Sequence, residues 1–151
     1  MSHQVEVSRT VSADPEQVYA LVSDLPRMGE WSPENTGGTW MKGATGATVG
    51  AKFQGTNAFG KKKWKTISIV TAAQPGEEFA FDVTAGGMKV AAWGFSIAAA
   101  ADGGAIVTHW WDDQRNPVIA KLTGLALGVK DRASHNRANM EQTLEQLAAS
   151  V

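Results

Sequence analysis

The chain of 151 residues carries 14 Lys and Arg, 15 Asp and Glu and no cysteine. This length suits a single domain over residues 1–151, in which folding can bury roughly 70% of the unfolded surface. The formal net charge of −1 lacks the basic excess of nucleic-acid-binding proteins, and the missing cysteines exclude disulfides, thiolate zinc sites and cysteine nucleophiles.

The sequence has no long apolar segment. Its start, MSHQVEVSRT, lacks the apolar core of a signal peptide. The best candidate for a membrane span, residues 118–129, is shorter than the roughly 18 residues that a span needs, and Lys121 interrupts it. We therefore expect a soluble, cytoplasmic protein.

The N-terminal segment predicts one strand followed by two short helices. Residues 5–11, VEVSRTV, alternate apolar and polar side chains, which is typical of a half-buried strand. Asp14, Pro15 and Gln17 fit the N-cap, the first position and the capping box of a helix. The apolar stripe of this helix consists of Val18, Leu21, Val22 and Leu25. The segment PRMGEWSP indicates a second short helix that ends near Pro33.

The middle of the chain predicts an antiparallel meander, because apolar runs follow one another with turn signals and without intervening helices. The turn signals are Pro75-Gly76, Gly86-Gly87 and Asp102-Gly103-Gly104. The predicted strands are TWMKG, VGAKFQGTNAF, KWKTISIVTAAQ, EEFAFDV, MKVAAWGFSIAAA and AIVTHWWDD.

The C-terminal third predicts a long amphipathic helix. Asn116-Pro117 resembles a helix start, and the helical pattern continues to Ala149. Gly124 and Gly128 predict a kink or break in its first part. The shared face consists of Val118, Leu122, Val129, Ala133, Met140, Leu144, Leu147 and Val151. This order of elements favours an α+β fold in which a curved antiparallel sheet holds the long helix in its concavity.

The paired tryptophans of the last strand must point to opposite faces of the sheet. We expect Val107 and Trp111 to face the interior, with His109 beside them and Trp110 on the outer face. The opposite parity remains open, because Ile106 and Trp110 are apolar too.

Aromatic residues on separate elements are expected to converge on this interior. An aromatic-lined space with a few polar groups is typical of a small-molecule site; the alternative is a solid core filled by the same rings. The candidate ligand-binding residues are Trp31, Trp40, Phe53, Asn57, Trp64, Phe81, Trp93, Phe95, His109, Trp111, Arg132, Asn136 and Met140.

Two polar positions carry the candidate chemistry. The usual pKa of histidine, near 6.5, suits His109 for proton transfer; the alternative is a structural histidine held by hydrogen bonds. Arg132, at the margin of the helical stripe, is a candidate for binding an anionic headgroup, or else a surface residue whose stem covers the stripe. His135 is expected on the solvated flank of the helix.

Residues 60–65, GKKKWK, combine four lysines with a tryptophan. This pattern fits a patch for anionic lipid headgroups. The alternative is a lysine-rich hairpin tip or a protected sheet edge.

The whole chain resembles an actinobacterial-type member of the SRPBCC superfamily, in the group of polyketide cyclase/dehydrase and lipid transport proteins. The segments that carry the resemblance are SADPEQVYALVSDLPRMGEWSP, VGAKFQGTNAFGKKKWKT, PGEEFAFDV, WGFSI, GGAIVTHWW and DRASHNRANMEQTLEQL. The resemblance implies a helix-grip fold of about seven antiparallel strands around the C-terminal helix, with two short helices after strand 1. It also implies a hydrophobic ligand cavity, but no catalytic residue. Relatives often carry a larger residue where this chain has Gly94, and we expect this glycine to widen the interior or mark a bulge.

These observations favour a protein that binds a lipid, a polyketide or a fatty-acid-like compound between the sheet and the C-terminal helix. One alternative is a cyclase or dehydratase that uses His109 as acid or base and Arg132 to stabilise an enolate-like oxygen. The other is an interaction module with a filled core. We predict no metal, no cofactor and no nucleic-acid partner. We further predict a transient membrane contact and a protein that is a monomer or a homodimer.

Overall fold

In the computed structural model, which describes residues 3–118, 120–122 and 131–151, seven strands form one antiparallel sheet in the order β1-β7-β6-β5-β4-β3-β2. The strands are β1 (Val5–Val11), β2 (Asn35–Trp40), β3 (Lys52–Phe59), β4 (Lys62–Gln74), β5 (Glu78–Ala85), β6 (Met88–Ala99) and β7 (Ala105–Asp113). The predicted meander is therefore confirmed. Since β1 pairs with β7, the edges of the sheet are β1 and β2.

Strand β2 begins at Asn35, four residues earlier than the segment TWMKG predicted. The early part was missed because Gly37 and Gly38 have no strand preference of their own. Gly38 is required by close packing, since a Cβ there would lie 2.1 Å from the carbonyl oxygen of Gln54 and 2.7 Å from the ring of Phe53. Its φ of +154° also lies in a region that disfavours other residues.

Helix α1 (Pro15–Val22) starts as the sequence predicts. The Asp14 carboxylate accepts the backbone N–H of Gln17 at 2.9 Å, and the Gln17 side chain accepts the N–H of Asp14 at 3.1 Å. The second short helix is a 3-10 helix (Leu25–Glu30), and it ends before Pro33. Both helices follow β1, so this part of the prediction is confirmed.

The C-terminal helix α2 (Arg132–Ala149) is shorter than the predicted helix. The Asp131 carboxylate caps the start of α2 by accepting the N–H of Ser134 at 3.2 Å. This start was missed from the sequence because Asp131 lies inside the helical pattern that was expected to begin at Asn116. A separate helical piece covers residues 117–118 and 120–122. The predicted break at Gly124 and Gly128 lies outside the described residues, as does Val129.

Of the described residues on the predicted helical face, only Met140, Leu144 and Leu147 are buried. All three lie in the core, and α2 packs against β1 and β7. Helix α1 contacts β5, β6 and β7. Val118, Leu122 and Val151 are exposed, because they lie outside the span of α2. The result is the helix-grip fold that the resemblance implied.

The last strand has the expected parity. Val107, His109 and Trp111 are buried toward the interior, and Trp111 belongs to the main core. Trp110 lies on the outer face, where it packs with Ala80 and Ala92. There it is 8% exposed, because the imidazole of His3 stacks on it with the ring centroids 3.8 Å apart.

Gly94 leaves space for the indole of Trp110 on the outer face. This finding corrects both expectations for Gly94. A Cβ at Gly94 would lie 2.2 Å from the Trp110 indole. Gly94 pairs with Ala80 and with Trp110 in uninterrupted register, so it marks no bulge. The missing side chain therefore makes room on the outer face and does not widen the interior.

Within the described ranges, the structure offers no helix that could span a bilayer.

We predict that Gly94→Ala lowers the free energy of unfolding by about 2–3 kcal/mol, because the added methyl group overpacks the site that the Trp110 ring occupies. Urea denaturation at neutral pH measures this change. Gly46→Ala is the matched control and should be nearly neutral, since a Cβ there meets nothing within 4 Å. In the Trp110→Ala background, Gly94→Ala should cost much less; equal costs in both backgrounds would contradict the packing account.

Candidate functional site

A pocket of about 380 Å3 lies between the inner face of the sheet, the 3-10 helix and α2. Strands β3, β5 and β7 contribute residues from alternate positions, because successive residues of a strand point to opposite faces. Strands β4 and β6 also contribute consecutive residues at Trp64–Thr66 and Val90–Ala91. The apolar part of the lining is Leu25, Met28, Trp31, Phe53, Trp64, Phe81, Val83, Ala85, Val90, Ala91, Trp93, Phe95, Trp111 and Met140. The polar part is Ser32, Glu34, Asn35, Asn57, Lys65, Thr66, Ser68, His109, Arg115, Arg132, Asn136, Asn139 and Thr143.

The pairing of β6 with β7 organises the aromatic wall. Trp93 lies opposite Trp111, and Phe95 lies opposite His109. The two indoles are tilted with centroids 6.2 Å apart, whereas the Phe95 and His109 rings stack in parallel at 4.0 Å. The wall is therefore a set of rings in mutual contact.

The structure brings the sequence-predicted site residues together around this pocket, with the exception of Trp40. The Trp40 indole packs edge-on against Phe53 with the centroids 5.3 Å apart. Among the described residues it supports the lining and does not belong to it. The Asn57 amide donates a hydrogen bond from Nδ2 to Thr66 Oγ1 at 3.2 Å.

His109 is a neutral imidazole of defined tautomer. Its Nδ1 lies 2.9 Å from the carbonyl oxygen of Gly94, which can only accept, so Nδ1 carries the proton. Burial lowers the pKa of His109 to about 4, and the hydrogen bond to Gly94 offsets the effect of burial only in part. The neutral ring leaves Nε2 with a lone pair and no proton. At neutral pH His109 is therefore a hydrogen-bond acceptor on the pocket wall.

Further polar side chains of the pocket lining are buried. Asn136 is 3% exposed, and its Oδ1 lies 3.5 Å from Arg132 Nη1, which is long for a hydrogen bond. Ser68 and Thr143 are buried as well, and the Thr143 hydroxyl donates to the backbone oxygen of Asn139 at 2.8 Å. The pocket thus combines an apolar wall with a small polar group of residues.

A second polar cluster, which the sequence analysis missed, is centred on Glu34. Its carboxylate accepts hydrogen bonds from His135 Nε2, from Asn139 Nδ2 at 2.7 Å and from Arg132 Nη1 at 3.4 Å. This corrects the expectation for His135, which pairs with Glu34 and packs edge-on against Phe59 instead of lying in solvent.

The positions on α2 held a signal for this cluster. Arg132, His135 and Asn139 are separated by three and four residues, which puts them on one side of the helix. Their common partner, Glu34, lies far away in the chain, in the segment that leads into β2. Only the tertiary structure brings the two parts together.

The arginines of the pocket are matched by carboxylates. Arg115 binds Asp113 with two parallel hydrogen bonds, Nε to Oδ1 at 2.9 Å and Nη2 to Oδ2 at 2.7 Å. Burial alone would raise the pKa of Asp113, but the hydrogen bonds and charge of Arg115 outweigh it and hold that pKa below its ordinary value. Arg132 faces Glu34 more loosely, with its Nη1 3.4 Å from both carboxylate oxygens. The two arginines therefore offer little uncompensated positive charge to an anionic ligand, whereas Lys65 lines the pocket without an ion pair to a described residue.

We predict that acid destabilises the fold through His109. The unfolded chain takes up this proton near pH 6.5, whereas the folded chain takes it up only near pH 4. The contribution of neutral His109 is complete above pH 6.5 and falls by roughly 3 kcal/mol as the pH drops to 4. Urea denaturation between pH 7 and pH 4 should show a smaller loss for His109→Asn, whose amide does not titrate. Parallel curves for the two proteins would refute this assignment.

We also predict that Glu34→Gln lowers the free energy of unfolding by about 1–2 kcal/mol, because charge-assisted hydrogen bonds to Arg132 and His135 are lost in a half-buried site. Urea denaturation at pH 7 measures it. Glu30→Gln is the control, since Glu30 forms an exposed ion pair with Arg27 and its loss should change stability little. Equal effects of the two substitutions would show that the Glu34 cluster does not stabilise the fold.

Comparisons with known proteins identify the family of this chain. The model of the family described as "Polyketide cyclase / dehydrase and lipid transport" matches residues 2–151. A Polyketide_cyc-like protein from Corynebacterium glutamicum is 30% identical, with 95% of this chain and 88% of that one covered and a TM-score of 0.64. No curated protein matches the chain.

Two more distant structures show the fold alone. A major latex-like protein from Panax ginseng is 13% identical, with 97% of this chain and 95% of that one covered and a TM-score of 0.71. The di-domain ARO/CYC StfQ of the steffimycin biosynthetic pathway is 8% identical, with 97% and 44% covered and a TM-score of 0.67. The resemblance inferred from the sequence is confirmed: the chain belongs to the polyketide cyclase/dehydrase and lipid transport family.

Proposed function

We propose that the pocket binds a neutral, largely apolar small molecule of the lipid or polyketide kind that carries a hydroxyl or keto oxygen. The observation that carries this proposal is the combination of an aromatic wall with the buried, neutral His109. The pocket volume of about 380 Å3 falls within the roughly 300–1,000 Å3 of small-molecule sites.

Apolar contact supplies most of the affinity in this proposal. Each 100 Å2 of ligand surface removed from water contributes about 2.5 kcal/mol. Part of this gain is offset by the loss of ligand freedom on binding. The rings of Trp93, Phe95 and Trp111 already contact one another or His109, so little further ordering of these side chains is needed.

The polar residues give the ligand its orientation. His109 Nε2 accepts a hydrogen bond from a ligand hydroxyl, and the Asn136 amide donates to a ligand oxygen. A carboxylate such as that of a fatty acid is disfavoured beside the two arginines, because Arg132 already faces Glu34 and Arg115 already binds Asp113. The remaining cation of the described lining, Lys65, is exposed on the β3–β4 hairpin. Bringing a second negative charge near Glu34 would cost binding energy.

The alternative is a cyclase or dehydratase in which His109 acts on the bound molecule, and the place of His109 on the pocket wall favours it. The ring is unprotonated at neutral pH, as a base must be, but its low pKa makes it a weak base and leaves almost no acid form. Gly94 orients the ring through a neutral carbonyl group, which stabilises an imidazolium less than a carboxylate would. Binding without turnover is therefore our first proposal. The filled-core interaction module has less support, since it leaves the pocket without a role.

We predict that the pocket prefers 2-naphthol to 2-methylnaphthalene by roughly five- to tenfold, because the hydroxyl group can donate to His109 Nε2 where the methyl group cannot. Equilibrium dialysis of each compound at pH 7 gives the two dissociation constants. In His109→Asn, the preference for 2-naphthol should be lost or reversed, because the Asn side chain is too short to replace Nε2 and the buried hydroxyl group then lacks an acceptor.

Trp110→Phe is the matched control, since this aromatic side chain lies on the outer face of the same strand. It should keep both affinities and their ratio. If neither compound binds the unmodified protein, the proposed function is wrong. If both bind and His109→Asn retains the preference, the pocket binds ligands but His109 does not orient them.

A further inference from the structure

The hairpin of β3 and β4 projects from the sheet. Strand β4 pairs with β3 from Lys62 onward, but its pairing with β5 begins at Ile67. Residues 62–66 are thus paired on one side only within the described sheet. At about 3.3 Å per residue, the two-stranded tip extends roughly 15 Å beyond the pairing with β5.

This tip is strongly basic. Lys61, Lys62, Lys63 and Lys65 are all exposed, and none of the four forms an ion pair with a residue that the structure describes. The chain as a whole has a formal net charge of −1. The lysines therefore concentrate positive charge at one end of a nearly neutral protein.

Exposed apolar side chains accompany the lysines. Phe59, at the end of β3, is 38% exposed, and Met88, at the start of β6, is 44% exposed. The β3–β4 and β5–β6 turns lie at the same end of the sheet, because they are alternate turns of an antiparallel meander. We call Phe59, residues 61–65 and Met88 the basic tip.

The pocket reaches this same end. Trp64 lines the pocket from within the lysine run, and Ala85 and Val90 line it beside the β5–β6 turn. A molecule that enters or leaves the pocket at this end passes the basic tip. The Phe59 ring also contacts His135 of the Glu34 cluster, with the centroids 4.8 Å apart.

We propose that the basic tip docks the protein on a bilayer that contains anionic lipids. Each lysine near such a surface contributes about fivefold in affinity, and Phe59 and Met88 add apolar contact with the interface. Charge complementarity favours this partner. The four unpaired lysines match the anionic headgroups, and the exposed apolar side chains match the hydrocarbon region beneath them. Docking depends on the outer surface of the tip, whether or not the pocket is occupied.

Sedimentation with vesicles tests the proposal. The unmodified protein, in about 0.1 M salt, should bind vesicles of roughly three parts phosphatidylcholine to one part phosphatidylserine, and bind pure phosphatidylcholine far more weakly. The double variant Lys61→Gln/Lys63→Gln should lose affinity for the mixed vesicles by about 25-fold. The control Arg9→Gln/Lys42→Gln removes the same charge toward the opposite end of the sheet and should change affinity less than threefold.

Three outcomes would overturn the proposal: no binding to mixed vesicles, equal losses in the two double variants, or equal binding to both kinds of vesicle. Tighter binding to an acidic polypeptide such as polyglutamate than to the vesicles would assign the basic tip to a protein partner instead. Dialysis of 2-naphthol against Lys61→Gln/Lys63→Gln separates this proposal from the proposed function. Unchanged naphthol affinity with lost vesicle binding would assign the lysines to docking alone.

Discussion

The pairing register of β6 with β7 is the constraint on which the rest of the site depends. It places Trp93 opposite Trp111 and Gly94 opposite Trp110, so the large ring on the outer face meets the residue without a side chain. The same register brings His109 to the carbonyl oxygen of Gly94, which fixes its tautomer. A slip of one residue would exchange the two faces, moving Trp111 to the outer face and Trp110 into the pocket.

Periodicity and capping chemistry made much of the fold predictable. The alternation of β1 and the capping box at Asp14 are local patterns that follow from backbone geometry. The parity of Trp111 was expected correctly, but the sequence left the opposite parity open because Ile106 and Trp110 are apolar too. What could not be predicted depends on distant contacts. The role of Gly94 requires knowledge of which ring lies across from it, and the role of Glu34 requires α2 to pack nearby. The true start of α2 was hidden because the helical pattern continued across its cap.

In the proposed function, the pocket combines two kinds of recognition. Aromatic rings offer contact to any molecule of suitable size, whereas a single neutral imidazole discriminates by the direction of one hydrogen bond. The charged groups around Glu34 and Asp113 are paired with arginines and hold elements together. Of the unpaired lysines on the projecting hairpin, only Lys65 belongs to the described lining. The other charged groups of the lining lie in ion pairs, which supports the proposal of a neutral ligand.

The two edges of the sheet have a consequence for self-assembly. An open sheet can add a strand from another molecule at an unprotected edge, which leads to polymers. Here α2 packs against β1, and the 3-10 helix packs against β2, whose register shifts between Asn35 and Gly37. A strand added from another copy would meet a helix packed against either edge strand. Any oligomer of this protein should therefore form through helices, turns or sheet faces, and leave the hydrogen-bonded ribbon of each subunit intact.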